Sequence, residues 1–171
     1  MVNIEERGRQ ASVDGFAYEH IAAGILMKRY QNVSLVDLPL SPYDIIVVLK
    51  KPDDSEDIIR AQVKTATRSI SFIGGGRGGV DREYKSDVKT YTQSTATSDV
   101  VIGVHPADNN AFELYFVPTI LIEDLDQKSI SINRIGRLKE NYFILENCKN
   151  RKVIIDKCRE YEILSESRYL S

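Results

Sequence analysis

The sequence predicts an α/β domain built on a central mixed β-sheet flanked by helices. Three observations carry that expectation. A segment of helical periodicity comes first, at 12–31. Apolar runs of strand length follow at 44–49, 58–65, 99–104 and 112–117, separated by turn-forming residues. Between the two pairs of runs lies a polar stretch at about 83–94 that reads as a helix crossing back over the sheet, the connection that parallel neighbours require. A chain of 171 residues, 42% hydrophobic and 28% charged, suits one domain with a sizeable core. The expected core covers about residues 10–120. Residues 121–171 are expected at the periphery, available for contact with a partner or a second copy.

In 12–31, SVDGFAYEHIAAGILMKRYQ, Phe16, Ala17, His20, Ile21, Gly24, Ile25 and Lys28 recur at helical spacing, and Ser12 or Asp14 stands ready to cap the start. Residues 33–38 suggest a first strand. The run DIIVVL at 44–49 suggests a second, and its unbroken apolar character predicts burial on both faces. PDDSED at 52–57 is a turn, so 58–65 returns as the other arm of a hairpin. Ser69–Ile73 reads as a fourth strand, followed by a glycine-rich loop at 74–79. DVVIGV and FELYFV form a last strand pair joined by HPADNN, and Pro118 ends it.

Composition excludes several classes. No apolar run is long enough to span a bilayer, and MVNIEERGRQ is too polar to be a secretory signal, so a cytoplasmic protein with no membrane role is expected. Cys148 and Cys158 form no Cys-x-x-Cys pair and read as reduced, partly buried thiols, a disulfide between them being the alternative. The net charge is −2, so any nucleic-acid surface must be a local patch. Residues 60–89 carry such an excess, seven basic against three acidic, and residues 134–159 carry another, eight against three. Either patch suits phosphate contact or is simply a solvated face.

The chemistry gathers around two strands. Gln62 and Lys64 are two apart and share a face, while Asp44 opens the neighbouring strand. A hairpin brings the three polar tips together at one end of the sheet. A carboxylate and an ammonium there are costly unless paired or functional. Hydrolysis of a phosphodiester calls for a divalent ion held by hard oxygen ligands and a cation beside it, and Asp, an amide and Lys supply that set.

This pattern resembles the PD-(D/E)xK nuclease superfamily, in the variant where Gln replaces the second acid. Pro42-Tyr43-Asp44 stands where the family has Pro-Asp, with one residue inserted, and Gln62-Val63-Lys64 stands where it has (D/E)-x-K. Glu19, on the preceding helix, matches a glutamate that members often carry there. The order QVKTA at 62–66, SDVVIGV at 98–104 and LYFVP at 114–118 is similar to the group I intron homing endonucleases of this superfamily. The resemblance implies a restriction-endonuclease-like fold and Mg2+-dependent DNA cleavage, with Mn2+ able to substitute. It implies metal ligation by Asp44, by Glu19 directly or through water, by the Gln62 amide oxygen and by the Val63 carbonyl, with Lys64 orienting the nucleophilic water. Because Gln62 is uncharged, it also implies weaker metal binding than an Asp/Glu pair gives. Cutting both strands of a duplex calls for two sites, hence a homodimer or dimer of dimers.

Arg68, Arg77, Arg82, Lys85 and Lys89 are the expected DNA contacts, with Arg77 at the tip of the loop IGGGRGGV suited to a groove. That loop contains a literal G-x-G-x-x-G at Gly74, Gly76 and Gly79, with Asp99 twenty residues on. The polar stretch after it lacks the apolar helix face of a dinucleotide site, and no Lys-Ser or Lys-Thr follows for a P-loop. His20 reads as a core or partner-facing histidine, and no Gly-x-Ser-x-Gly is present. Homing, restriction or defence, and junction or repair settings all remain open. So do a DNA-binding module without chemistry and a structural subunit on the same fold.

Overall fold

The computed structural model describes residues 4–38, 40–75 and 90–165. In order these form α1 (Ile4–Met27), β1 (Asn32–Leu35), β2 (Ile45–Lys50), β3 (Glu56–Thr65), β4 (Ser69–Ser71), β5 (Ile73–Gly74), β6 (Tyr91–Thr92), β7 (Val100–Pro106), β8 (Phe112–Pro118), α2 (Thr119–Leu125), β9 (Ser129–Ser131), α3 (Tyr142–Glu146) and α4 (Arg151–Glu160). A 3₁₀ segment at Ile132–Leu138 links β9 to α3. Five strands make one mixed sheet in the order β1-β2-β3-β7-β8. Only β3 and β7 run parallel, with Gln62 beside Val101 and Lys64 beside Gly103. The expected fold class is therefore the observed one.

The β2–β3 hairpin forms where the turn residues predict it. Asp53 accepts from the Ser55 backbone N–H at 3.0 Å, and Asp54 takes the left-handed conformation at φ 63°. Burial on both faces falls on β7 instead of β2: Val100, Val101, Ile102 and Val104 are all buried, whereas Ile46, Val48 and Leu49 are half-exposed. β2 and β7 each lie one strand from an edge, so the difference lies in what covers them: Ile70 packs onto β7 at Gly103, and the C-terminal elements pack onto its neighbour β8.

α1 begins before the expected caps and ends four residues before the expected stop. Ser12 and Asp14 thus lie inside it, Ser12 donating to the Gly8 carbonyl at 3.1 Å and Asp14 accepting from Gln10 at 2.8 Å. Its buried face is also rotated from the predicted stripe. Ala22, Ala23 and Leu26 are buried, while Phe16 and His20 are exposed, which removes the core reading of His20. Glu19 belongs to the half-buried side with Tyr18. The expected fourth strand is two: β4 pairs with β9, and β5 with β6, on either side of the buried Phe72. Of the expected crossing helix, 90–94 instead carries β6 and irregular residues beside it, and the remainder lies outside the described residues.

The C-terminal segment is not peripheral. Leu121, Ile122, Ile135, Leu138, Ile144 and Ile154 are buried in the one contiguous core. The short amphipathic α2 and α3 close against β8, covering apolar surface that the sheet alone leaves open. Cys148 and Cys158 are free and buried, and burial raises both thiols to about 12. No helix among the described residues is long and apolar enough to cross a membrane.

Close packing at β7 yields one prediction. A Cβ on Gly103 would sit 2.4 Å from Ile70 Cδ1 and 3.1 Å from the Ala66 Cβ. Ile70 is fully buried and has little room to yield. Gly103→Ala is therefore expected to destabilise by about 1–3 kcal/mol in urea unfolding; an unchanged midpoint would show that Ile70 repacks freely.

Candidate active site

The end of the sheet where β2 begins and β3 finishes gathers the polar residues singled out above. Asp44 sits just before β2 and is tied into the ladder on both sides: its N–H donates to the Ala61 carbonyl and its carbonyl accepts from the Val36 N–H, each at 2.8 Å. Ser41 donates its hydroxyl to the Tyr43 carbonyl at 2.6 Å and shapes the entry. With the backbone held, the Asp44 carboxylate turns to β3, where Oδ2 accepts from the Val63 N–H at 2.8 Å and from Gln62 Nε2 at 2.5 Å. Gln62 Nε2 also reaches the Val63 carbonyl at 3.4 Å.

Glu19 and Lys64 complete the group through their charges. Burial raises the Glu19 carboxyl to about 7, with the Asp44 charge adding to the rise and His20 opposing it. Burial likewise raises Asp44, against the lowering effect of the Val63 N–H, Lys64 and Gln62. Burial lowers the Lys64 ammonium, against the pull of Asp44. Neither Glu19 nor Lys64 makes a side-chain hydrogen bond or ion pair with a described residue. Their tips keep solvent contact, since no described side-chain N or O is both buried and unpartnered. Two raised carboxyls and a lowered ammonium that interact through Asp44 are a pattern typical of a functional site.

The Glu19 shift has a consequence for stability. In cation-free buffer the folded chain holds this proton more tightly than the unfolded one. That contribution is whole below the ordinary value of 4.5 and is lost as pH rises through about 7, so stability falls across this window. Urea unfolding at about pH 5 and about pH 7.5 measures the fall, and Glu19→Gln is expected to reduce it. The same slope in the variant would assign the titration elsewhere.

One residue of this site is absent from the sequence reading. Gln93, buried to 1% exposure after β6, donates Nε2 to Gln62 Oε1 at 3.2 Å and to the Pro42 carbonyl at 3.3 Å. Its own Oε1 accepts from the Thr97 hydroxyl at 2.6 Å and the Ser98 hydroxyl at 2.8 Å. Gln93 lies in a polar run, YTQSTATS, with no periodicity to mark it as buried. The neighbouring Tyr91 ring lies against Gly74, where a Cβ would come within 2.7 Å of it. Its phenol is raised by burial and by the Asp44 charge.

The expected nucleic-acid contacts divide. Arg68 is exposed, four residues beyond Lys64, with its carbonyl accepting from the Ile132 N–H at 3.1 Å. Arg77, Arg82, Lys85 and Lys89 lie outside the described residues. The basic excess at 134–159 is largely neutralised by acids from elsewhere. Lys139 pairs with Glu113, Lys149 with Asp57, Arg151 with Asp124, and Lys157 with Glu160. Asp99 is engaged too, paired with Arg60, so it is not placed as the acid of a dinucleotide site.

No three His, Cys, Asp or Glu side chains converge as a metal cluster among the described residues. The donor set here is smaller: two carboxylates whose mutual repulsion a cation relieves, with a neutral amide and a carbonyl beside them. Hard oxygens in that number suit Mg2+, which keeps several of its own waters.

No family model and no curated protein sequence matches the chain. Among solved structures, that of a bacterial homing endonuclease, I-Ssp6803I, matches with a TM-score of 0.55 at 10% identity, covering 87% of this chain and 96% of that one. The likeness is one of fold. It extends well past the 10–120 span of the sequence resemblance and so includes elements of the C-terminal third.

Proposed function

We propose that the chain is a Mg2+-dependent DNA endonuclease, with Mn2+ able to substitute, on the fold it shares with a homing endonuclease. One observation carries the reading: Asp44, anchored on β3 by the Val63 N–H and Gln62, acts by its charge on both Glu19 and Lys64. Asp44 is the first ligand, because Oδ2 is already anchored to β3 and Oδ1 takes no hydrogen bond from a described residue. Glu19 is the second, with the Gln62 amide and the Val63 carbonyl as neutral donors. A bound divalent cation supplies Lewis acidity toward the phosphate and a water of lowered pKa. Lys64, which pairs with no described residue and whose ammonium feels the Asp44 charge, orients that water and offsets charge on the phosphate.

Arg68, together with Arg77, Arg82, Lys85 and Lys89, is the proposed contact to the DNA backbone. A homodimer or dimer of dimers would present one site to each strand. Intron homing is the setting that the fold likeness favours, with restriction, defence and junction cleavage as alternatives. A second reading, DNA binding without cutting, draws on one feature: Gln62 turns its nitrogen, not its oxygen, toward Asp44.

Incubation with supercoiled plasmid and with a branched duplex, in Mg2+, Mn2+ or excess EDTA, tests the proposal. Cation-dependent cutting is expected. Salt-sensitive binding without cutting on any substrate would favour the second reading, and neither cutting nor binding would overturn both.

A further inference from the structure

The amides of Gln62 and Gln93 form a directional chain. The Pro42 carbonyl accepts from Gln93 Nε2, which also donates to Gln62 Oε1, and Gln62 Nε2 donates to Asp44. An amide has two donors at one end and acceptors only at the other, so each link fixes the next. The Pro42 carbonyl decides the Gln93 orientation, because it requires a donor, and the Thr97 and Ser98 hydroxyls then donate to the opposite end. Gln93 therefore holds the oxygen of Gln62 away from the acid. As it stands, the Gln62 amide offers Asp44 a proton donor, and a cation at Asp44 would meet an N–H there.

We infer that Gln93 is the positioning residue of the site and that Gln62 and Gln93 turn their amides over together when a divalent cation binds. This rests on the nuclease reading of Asp44. Were Gln62 to turn alone, its NH2 would face the NH2 of Gln93, donor against donor in a buried place. If both turn, Gln93 presents its oxygen to the Gln62 NH2. Its own NH2 then meets the hydroxyls of Thr97 and Ser98, which accept as readily as they donate. Gln62 gives up its contact to the Val63 carbonyl and Gln93 its bond to the Pro42 carbonyl, which are the costs that cation binding offsets. Gln93 links the ligand amide to the segment 93–98. Partners of a ligand commonly matter almost as much as the ligand, at about 10–100-fold in affinity or activity.

The test is a titration of the full-length, 15N-labelled protein with Mg2+ in the absence of DNA, following the glutamine side-chain NH2 signals. Substitution identifies the signals of Gln62 and Gln93. Both are expected to shift with one binding curve, while the exposed Gln10, Gln31 and Gln127 stay still. A shift of Gln62 alone would overturn the inference and leave the metal site standing. No shift at either would overturn the inference and the metal reading together. Calorimetric titration with Mn2+ gives a second readout: Gln93→Met is expected to weaken binding about tenfold, because the turned Gln62 NH2 loses its acceptor. An unchanged affinity in a folded Gln93→Met protein would also overturn it.

Discussion

Lys64→Met is expected to abolish most DNA cleavage, by about 10²–10³-fold in kcat, without lowering stability. The two halves of this result have one cause. Lys64 is half-buried, has no hydrogen-bond or ion-pair partner among the described residues, and its ammonium is lowered by burial. Methionine keeps most of the stem and its packing while removing a charge that costs free energy to hold there. A lysine kept only for the fold would behave in the opposite way, because its removal would break a pair. The comparison is single-turnover cleavage of plasmid DNA in Mg2+ alongside urea unfolding. Full activity in the variant would remove Lys64 from the chemistry. Lower stability would mean that Lys64 supports the fold. Asp44→Asn is the companion variant, since asparagine can still accept from the Val63 N–H, and a loss of about 10³-fold is expected if Asp44 is the charged ligand proposed above.

The largest expected effect on stability lies on another part of the sheet. Asp99, 8% exposed, accepts from the Arg60 backbone N–H at 2.8 Å, from its Nε at 3.2 Å and from its guanidinium NH2 at 2.8 Å. The backbones return the contact, with the Asp99 N–H donating to the Arg60 carbonyl and the Thr119 N–H to the Asp99 carbonyl. The carboxylate thus holds the start of β7 to β3, while the Asp99 backbone carbonyl ties it to the residue after β8. Asp99→Ala leaves the Arg60 backbone N–H without its acceptor and the guanidinium with only the Thr95 carbonyl, 3.0 Å from its NH2. The expected cost is about 3 kcal/mol, the low end for breaking a buried pair, because the Arg60 side chain keeps 30% of its exposure. Urea unfolding of Asp99→Ala, Arg60→Met and the double variant measures it. A double variant markedly more stable than Asp99→Ala is expected, since the stranded guanidinium is then absent. A loss under about 1 kcal/mol in Asp99→Ala would mean that water substitutes for the carboxylate.

Much of the fold is legible in local pattern. The alternating and apolar runs at 45–50, 56–65, 100–106 and 112–118 are strands because side-chain direction alternates along an extended chain, and this needs no distant partner. The hairpin turn at 51–55 follows from its acids and serine. Where pattern was read against packing, packing prevailed. The inward stripe of α1 is set by contact with the sheet, so Phe16 and His20 face solvent despite their spacing. Ser69–Ile73 splits because Phe72 enters the core and the flanking residues find different partners. The C-terminal segment looks surface-like in its charge, yet alternates those charges with Ile and Leu that close the core. Most of its basic surplus is taken up in pairs with Glu113, Asp57, Asp124 and Glu160.

The candidate site divides in the same way. Asp44, Gln62 and Lys64 are visible in the chain because a hairpin is local: strand spacing alone puts Gln62 and Lys64 on one face and Asp44 beside them. Glu19, by contrast, rises to about 7 only because α1 packs so that it feels Asp44 in a partly dry place. Gln93 joins only because the turn after β6 folds under Pro42, 51 residues away in sequence. Short-range periodicity thus determined which strands form and which three side chains meet across a hairpin. Long-range packing decided which carboxyl joins them and which way the Gln62 amide points, because desolvation and hydrogen-bond direction depend on the neighbours that folding brings together.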